Sequence, residues 1–270
     1  MKIKRMIQDN QDGTKEQYYP ITHVSAVEGL KELIEGGISD ADLNTLIEQQ
    51  KQNTEHIKRL FPFMGGRFSA LGDSTTVGNP SEDGDNYSWT SSLAKLCLFK
   101  EVKNVGENGS KITRNSTDIG RSFVERCSVI SNQHCISVFG GVNDFNYNSP
   151  MGTFGSDDET TFYGALKKVL LTLTENNPRA KTFFITPMKT NNVHDTFAKN
   201  DLGFTLTNYV EAIKKVADYY SIPVLDLYAS STVSPYIPTL KSEYMKDGTH
   251  LNNAGQDRIA TQIASFINQL

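Results

Sequence analysis

The chain has 270 residues, of which 37% are hydrophobic and 21% charged, and its formal net charge is -4. This composition is typical of a globular protein with one large core and a small appendage. The mild acidity argues against a nucleic acid or an anionic membrane as partner, and no apolar run approaches the ~20 residues of a membrane span. No apolar signal-peptide core follows the basic N-terminus, so we expect a chain that is cytoplasmic when made.

Residues 1–62 differ in pattern from the rest and predict a separate N-terminal segment. Residues 2–8 and 17–24 predict two short strands around the polar turn Asn10-Gln11-Asp12-Gly13. Residues 39–61 predict a helix that Ser39 can cap. Two sets of helix positions lie seven residues apart: Leu43, Gln50, Ile57 and Leu46, Asn53, Leu60. This stripe favours either an amphipathic helix packed on its own domain or an oligomerisation or attachment stalk.

From residue 63 onward, strand-like and helix-like segments alternate. The strand candidates are 68–71, 102–105, 135–139, 181–186 and 223–226. The helix candidates are 89–98, 119–129, 161–175, 208–220 and 254–268. This alternation predicts one α/β domain over 63–270, with a parallel sheet covered on both faces. Reactive groups in such a domain gather beyond the carboxyl ends of the strands.

Two polar motifs supply the parts of a serine nucleophile. Gly72-Asp73-Ser74 ends the first of these strands, and a helix-compatible stretch follows, so the turn would present a hydroxyl beside a helix N-terminus. A serine needs a base to take its proton. In Asp247-Gly248-Thr249-His250 the imidazole can act as that base, and the carboxylate three residues earlier can orient it. Each motif alone also fits an ordinary polar loop.

Oxyanion donors are expected after two other strands. Gly106 and Gly109 follow the strand at 102–105, and no Lys-Ser/Thr pair follows them as a phosphate-binding loop requires. This run is therefore either a flexible turn or the source of a backbone N–H for a developing oxyanion. In Gly141-Val142-Asn143-Asp144 the amide of Asn143 is either a second oxyanion donor or part of an Asx turn.

The other histidines and the cysteines indicate no metal site. The remaining histidines share no metal-ligand spacing: His23, His56, His134 and His194. We therefore expect neither a metal nor a cofactor. The three cysteines, Cys97, Cys127 and Cys135, lie in apolar segments and are expected to be buried, reduced thiols.

The order of the motifs resembles that of the GDSL or SGNH hydrolase superfamily over residues 66–270. The matching blocks are Gly-Asp-Ser, a single Gly, Gly-x-Asn-Asp and Asp-x-x-His. The resemblance implies a three-layer α/β/α flavodoxin-like domain that hydrolyses esters through an acyl-serine intermediate.

The resemblance also implies site roles at matching positions. Ser74 would be the nucleophile and a backbone donor, His250 the base and Asp247 its partner. Gly109 and Asn143 would complete the oxyanion hole. Gly109 matches the family's second block better than Gly106, because it lies five residues after Asn104.

A second, shorter resemblance concerns the run Gln17-Tyr18-Tyr19-Pro20-Ile21-Thr22-His23, which is similar to the leader of phage tail, baseplate or fibre proteins of Gram-positive hosts. It implies a virion or prophage tail component that acts at the host cell surface. It also implies a homotrimer, assembled through residues 39–61.

Three functions follow as hypotheses. The first is a serine esterase on an acylated carbohydrate or small ester, above all on acetyl esters of a cell-surface carbohydrate. The alternatives are a tail module that binds glycan with an idle site, and a housekeeping lipase or lysophospholipase. Four residues are candidates for substrate contact: Asp73, Asp144, Phe145 and Tyr147. The two aromatic rings begin a long polar loop, 145–160, and either stack on a sugar or pack beneath the loop.

Overall fold

The computed structural model describes residues 6–9, 15–18, 40–80, 86–114 and 121–270, in two units, Met1–Arg59 and Leu60–Leu270. In the first unit β1 (Met6–Asp9) pairs with β2 (Lys15–Tyr18) in an antiparallel hairpin. Helix α1 (Asp40–Leu60) follows the hairpin along the chain. A hairpin followed by a helix is thus confirmed, although the described strands only overlap the predicted strands at 2–8 and 17–24. Several predicted features lie outside the described residues: the cap Ser39, the hairpin turn, the side chain of Leu43, the parts 2–5 and 19–24 of the predicted strands, and most of the run Gln17–His23.

The second unit contains a five-stranded parallel sheet in the order β4-β3-β5-β6-β7. Its strands are β3 (Arg67–Gly72), β4 (Glu101–Gly106), β5 (Cys135–Phe139), β6 (Lys181–Ile185) and β7 (Val224–Leu225). The central strand β5 is buried along its whole length, as its continuous apolar sequence requires when both faces are covered. This strand order is that of a flavodoxin-like sheet, so the predicted fold class is confirmed.

Helices cover both faces of the sheet. They are α2 (Ser74–Val77), α3 (Trp89–Leu96), α4 (Phe123–Arg126), α5 (Val142–Asn146), α6 (Phe162–Asn176), α7 (Leu206–Tyr219), α8 (Leu227–Ser230), α9 (Pro238–Tyr244) and α10 (Asn253–Ile267). The helix predicted over 119–129 is shorter, because within the described residues it consists of α4 and the 3-10 turn Cys127–Val129. Helices α5, α8 and α9 were not predicted.

Side chains alternate between two cores, one on each side of the sheet. On β3, Leu71 points into the core that α6 and α7 close, whereas Phe68 and Ala70 point into the core beneath α3 and α10. The result is a three-layer α/β/α unit, as predicted. The three cysteines are free and buried in these cores, which confirms the expected burial. No helix among the described residues combines the length and apolarity that a membrane crossing demands.

Candidate active site

Ser74 lies at a sharp turn from strand to helix. Strand β3 ends at Gly72, Asp73 caps the next helix, and Ser74 is the first residue of that helix. The Asp73 carboxylate accepts a hydrogen bond from the Thr75 N–H at 2.9 Å. A Cβ atom on Gly72 would come within 2.4 Å of Thr76 Cβ, so only glycine lets the helix fold back this closely over the strand end.

Ser74, His250 and Asp247 form a chain of hydrogen bonds. Ser74 Oγ lies 3.0 Å from His250 Nε2, and His250 Nδ1 lies 2.8 Å from Asp247 Oδ2. The second carboxylate oxygen, Asp247 Oδ1, accepts the backbone N–H groups of Thr249 at 2.9 Å and His250 at 2.8 Å. These bonds fix the carboxylate, so that Nδ1–H donates to it and Nε2 is left to accept the serine proton. The structure therefore brings the three predicted residues together.

The segment that follows β6 supports the Asp–His loop, a feature absent from the sequence analysis. Gly248 has a left-handed backbone (φ 92°), and a Cβ there would lie 2.2 Å from Asn191 Oδ1. The Asn191 N–H donates to the Gly248 carbonyl at 3.1 Å, and the hydroxyls of Thr190 and Thr249 are hydrogen-bonded. The close approach of these two loops thus requires glycine between Asp247 and His250.

Asn143 lies on α5 next to the turn that follows β4. Its Nδ2 donates to the Ser110 carbonyl at 3.0 Å, and the amide group has a second N–H to offer. Gly109 precedes Ser110 and has a left-handed backbone, with φ 67°. The two predicted oxyanion donors are therefore close together, because Asn143 binds the residue that follows Gly109. The role of the Gly109 N–H as an oxyanion donor remains a prediction.

Gly106 has a different environment. Its N–H donates to Asn104 Oδ1 at 2.9 Å. A Cβ on Gly106 would come within 2.6 Å of the Val77 nitrogen in α2. Its N–H is therefore already engaged, and the absence of a side chain serves packing against the helix that carries Ser74. This geometry favours Gly109 as the donor.

Two carboxyl groups of the site have shifted pKa values in opposite directions. Burial raises the pKa of Asp73 to about 6, and the hydrogen bond from Thr75 only partly opposes this. For Asp247, partial burial acts to raise the pKa, but the hydrogen bonds from His250 and Thr249 together outweigh it and lower the value. Asp247 is therefore ionised at neutral pH, as a partner for an imidazolium must be.

Three of the four substrate-contact candidates have structural roles instead. Phe145 is fully buried against Tyr209 and His194. Of the two alternatives for its ring, packing in the protein is therefore correct, and its assignment to substrate contact is wrong. Asp144 is also fully buried, and its two oxygens accept the N–H groups of Ile112 and Thr113 at 2.8 and 3.0 Å. It therefore holds the segment after Ser110 beside α5 and is not free to contact substrate.

Asp73 is likewise buried and caps α2, which corrects its assignment to substrate contact. Tyr147 alone of the four candidates has an exposed side chain. Its contact with substrate remains a prediction.

A cavity of about 190 Å³ opens beside the hydroxyl of Ser74 and the ring of His250. Most of its remaining lining is polar: Thr75, Asn79, Asn108, Lys246 and Gln256. These residues were not predicted from the sequence, because amide and lysine side chains in loops have no distinguishing pattern. Among the described residues, no group of three or more His, Cys, Asp or Glu side chains is placed to hold a metal ion.

A flavodoxin-like sheet with a Ser–His–Asp chain beyond its strand ends is an architecture of ester hydrolases that transfer an acyl group. The chain belongs to the GDSL-like lipase/acylhydrolase family, whose sequence profile matches residues 70–258. It is an ester hydrolase. This confirms the resemblance drawn from the four sequence blocks.

Solved structures show the same similarity. One is 40% identical, covers 77% of this chain and 98% of its own, and has a TM-score of 0.72. A protein from Lactobacillus plantarum is 31% identical, covers 76% of this chain and 98% of its own, and has a TM-score of 0.67. A possible lipase from Chitinophaga pinensis, 21% identical over 76% of this chain and 98% of its own, shares the fold with a TM-score of 0.58. No curated protein matches the sequence.

Proposed function

We propose that the protein is a serine esterase in which Ser74 is the nucleophile, His250 the general base and Asp247 the group that orients the imidazole. The observation that carries this proposal is the unbroken chain from Ser74 Oγ through the ring of His250 to the Asp247 carboxylate, at 3.0 and 2.8 Å. Each distance lies within the range that proton transfer and orientation require.

The reaction proceeds in two halves. His250 Nε2 takes the proton of Ser74 Oγ as that oxygen bonds to the ester carbonyl carbon, and the carbonyl oxygen becomes an oxyanion. The donors proposed for it are the backbone N–H groups of Ser74 and Gly109 and the free N–H of Asn143 Nδ2. The imidazolium then protonates the alcohol oxygen, and the bond from that oxygen to the acyl carbon breaks. In the second half a water molecule gives its proton to His250 and attacks the acyl-serine. The Ser74–acyl bond breaks, Ser74 regains its proton, and the acid leaves.

We infer that the substrate is an acyl ester, in particular an acetyl ester, on a carbohydrate at a cell surface. The support is the cavity of about 190 Å³, whose lining includes the side chains of Asn108 and Lys246. Amide and ammonium groups of this kind suit an alcohol rich in hydroxyls. A long alkyl chain beside these two side chains would displace water from them and offer no hydrogen bonds in return. The similarity of residues 17–23 to phage tail leaders supports the cell-surface location.

Acetate release tests this assignment. The full chain is incubated with acetylated oligosaccharides, with purified Gram-positive cell wall and with p-nitrophenyl esters of two and twelve carbons, each with and without EDTA. We expect acetate from at least one carbohydrate, preference for the shorter ester and no effect of EDTA. Preference for the longer ester would favour the lipase or lysophospholipase alternative. A folded protein that hydrolyses none of these substrates would favour the glycan-binding module.

We also propose a homotrimer held through residues 39–61. Leu46 and Ile57 are half-buried, whereas Ile47 and Leu60 are exposed on α1. An isolated helix of this length is only marginally stable in water, so apolar side chains on it favour burial against partner helices.

A further inference from the structure

Arg126 places a buried guanidinium beneath the proposed oxyanion hole. This residue ends α4, and its side chain is 1% exposed. Its Nη2 donates to the Gly72 carbonyl at 3.0 Å and to Ser110 Oγ at 2.7 Å. Its Nη1 donates to the Val105 carbonyl, and its Nε donates to the Arg121 carbonyl at 3.0 Å. One side chain thus satisfies four acceptors.

Three of these acceptors belong to the elements that carry the reaction. Gly72 is the last residue of β3, two positions before the nucleophile. Val105 is the next-to-last residue of β4, the strand that leads into the turn that carries Gly109. Ser110 ends that turn, and its carbonyl accepts the hydrogen bond from Asn143 Nδ2 at 3.0 Å. The guanidinium therefore connects strand β3, which leads to the nucleophile, with the turn that carries Gly109. The last residue of that turn, Ser110, also binds Asn143.

The cost of burying this cation indicates a role beyond filling space. Glu107 Oε2 lies 3.7 Å from Arg126 Nε, but the Glu107 carboxylate also accepts hydrogen bonds from Arg121. Burial lowers the pKa of Arg126 despite the opposing charge of Glu107. A buried ion pair seldom stabilises a fold more than apolar side chains of similar volume would. The planar guanidinium of Arg126 does, however, hold several carbonyl groups at defined positions.

We propose that Arg126 is a positioning residue that sets the distance between the Ser74 strand and the Gly109–Ser110 turn, and thereby pre-organises the oxyanion hole. This inference rests on the proposed function. Oxyanion donors act at 2.7–3.1 Å from the developing charge, and displacements of about 1 Å can cost on the order of 10²-fold in rate. Arg126 touches neither substrate nor the reacting atoms, and it acts through Gly72 and Ser110.

The first test replaces Arg126 by lysine, which keeps the charge but loses the planar donor set. We expect kcat for p-nitrophenyl acetate to fall by roughly 10- to 100-fold with little change in KM, because a misplaced oxyanion hole weakens only transition-state binding. The control is Arg67→Lys. Arg67 is the first residue of β3, at the end opposite to Gly72. Its guanidinium donates to the backbone and side-chain oxygens of Asn132, each at 2.6 Å. The Arg67→Lys variant should be less stable than the wild type and keep the wild-type kcat. An unchanged kcat or a raised KM in Arg126→Lys would overturn the inference.

A double-mutant cycle separates positioning from general support of the fold. In the Asn143→Ala background one oxyanion donor is already gone, so Arg126→Lys should lower kcat by a clearly smaller factor than it does in the wild type. An equal factor in both backgrounds would refute action through the oxyanion hole. If Arg126→Lys does not fold, Ser110→Ala enters the same cycle, since it breaks the 2.7 Å contact and keeps the Ser110 carbonyl. Wild-type turnover that survives Ser74→Ala would instead refute the proposed function itself.

Discussion

Replacing Asn143 by alanine would test the oxyanion assignment and has two separable effects. Removing one donor from an oxyanion hole costs about 2.7–4 kcal/mol of transition-state stabilisation, so we expect kcat to fall by roughly 10²- to 10³-fold. KM should change little, because the contact tightens as the charge develops. The second effect is on stability. Asn143 Nδ2 donates to the carbonyl of fully buried Ser110 at 3.0 Å. Leaving that carbonyl unsatisfied costs about 1–3 kcal/mol, which corresponds to a decrease in Tm of about 2–12 °C for a domain of this size.

The assay is steady-state hydrolysis of p-nitrophenyl acetate at a temperature well below both Tm values, with thermal unfolding of each variant in parallel. Asn148→Ala is the matched control, because Asn148 Nδ2 donates to Asp201 Oδ2 at 2.9 Å away from the cavity. Its left-handed backbone (φ 57°) also gives the alanine a stability cost. The control should lose Tm and keep kcat. If Asn143→Ala keeps its kcat and raises KM, the residue binds substrate or supports the fold, and the oxyanion assignment is refuted.

Three further predictions concern the base, the buried carboxyl group and assembly. His250→Ala should lower kcat/KM by about 10⁴-fold or more, and Asp247→Ala by less, because the base survives without its orienting partner; equal losses would contradict these roles. Asp73→Asn keeps the acceptor for the Thr75 N–H and removes a carboxyl group whose pKa rises from 3.8 to about 6 on folding. The folded state binds this proton more tightly than the unfolded state, so the free energy of unfolding falls as pH rises through 6. At about 1.4 kcal/mol per pKa unit the loss reaches about 3 kcal/mol. The variant should therefore have a higher Tm than the wild type at pH 8, with a gain that shrinks toward pH 4, and a lower Tm at pH 8 would refute this. Light scattering should show a trimer for the full chain and a monomer for a chain that starts at Gly65; a full-length monomer would exclude the stalk.

The sheet and its long helices could be predicted because their sequences carry the periodicity of the structure. The apolar run of β5 and the amphipathic pattern of α10 span enough residues to be distinctive. Helices α5, α8 and α9 have only four to seven residues, too few for two full turns of that pattern. Their ends are set by caps such as the Asp226 carboxylate at the start of α8. This carboxylate also accepts a hydrogen bond from the hydroxyl of Thr186, forty positions earlier in the chain.

The Ser74–His250 pair was predictable because each residue lies in a short motif at a strand or helix boundary. Its supports were not, because they depend on contacts between distant segments. Nothing local to Asn191 shows that it packs against Gly248, and nothing around Arg126 shows that it reaches the end of β3. Phe145 was placed at the substrate for the same reason. The polar run around it left exposure and burial equally open, and α5 turns the ring into the core beside Tyr209.

The central claim, that Ser74 is the nucleophile, is tested most directly by covalent labelling. The full chain is treated with a p-nitrophenyl alkylphosphonate, and the modified peptide is identified by mass spectrometry while residual esterase activity is followed. We predict one adduct, on Ser74, that forms in step with the loss of activity, and no adduct on folded Ser74→Ala protein, whose turnover should be lower by about 10⁴-fold or more. An inactivating adduct on another residue, or near-wild-type turnover in Ser74→Ala, would contradict the account.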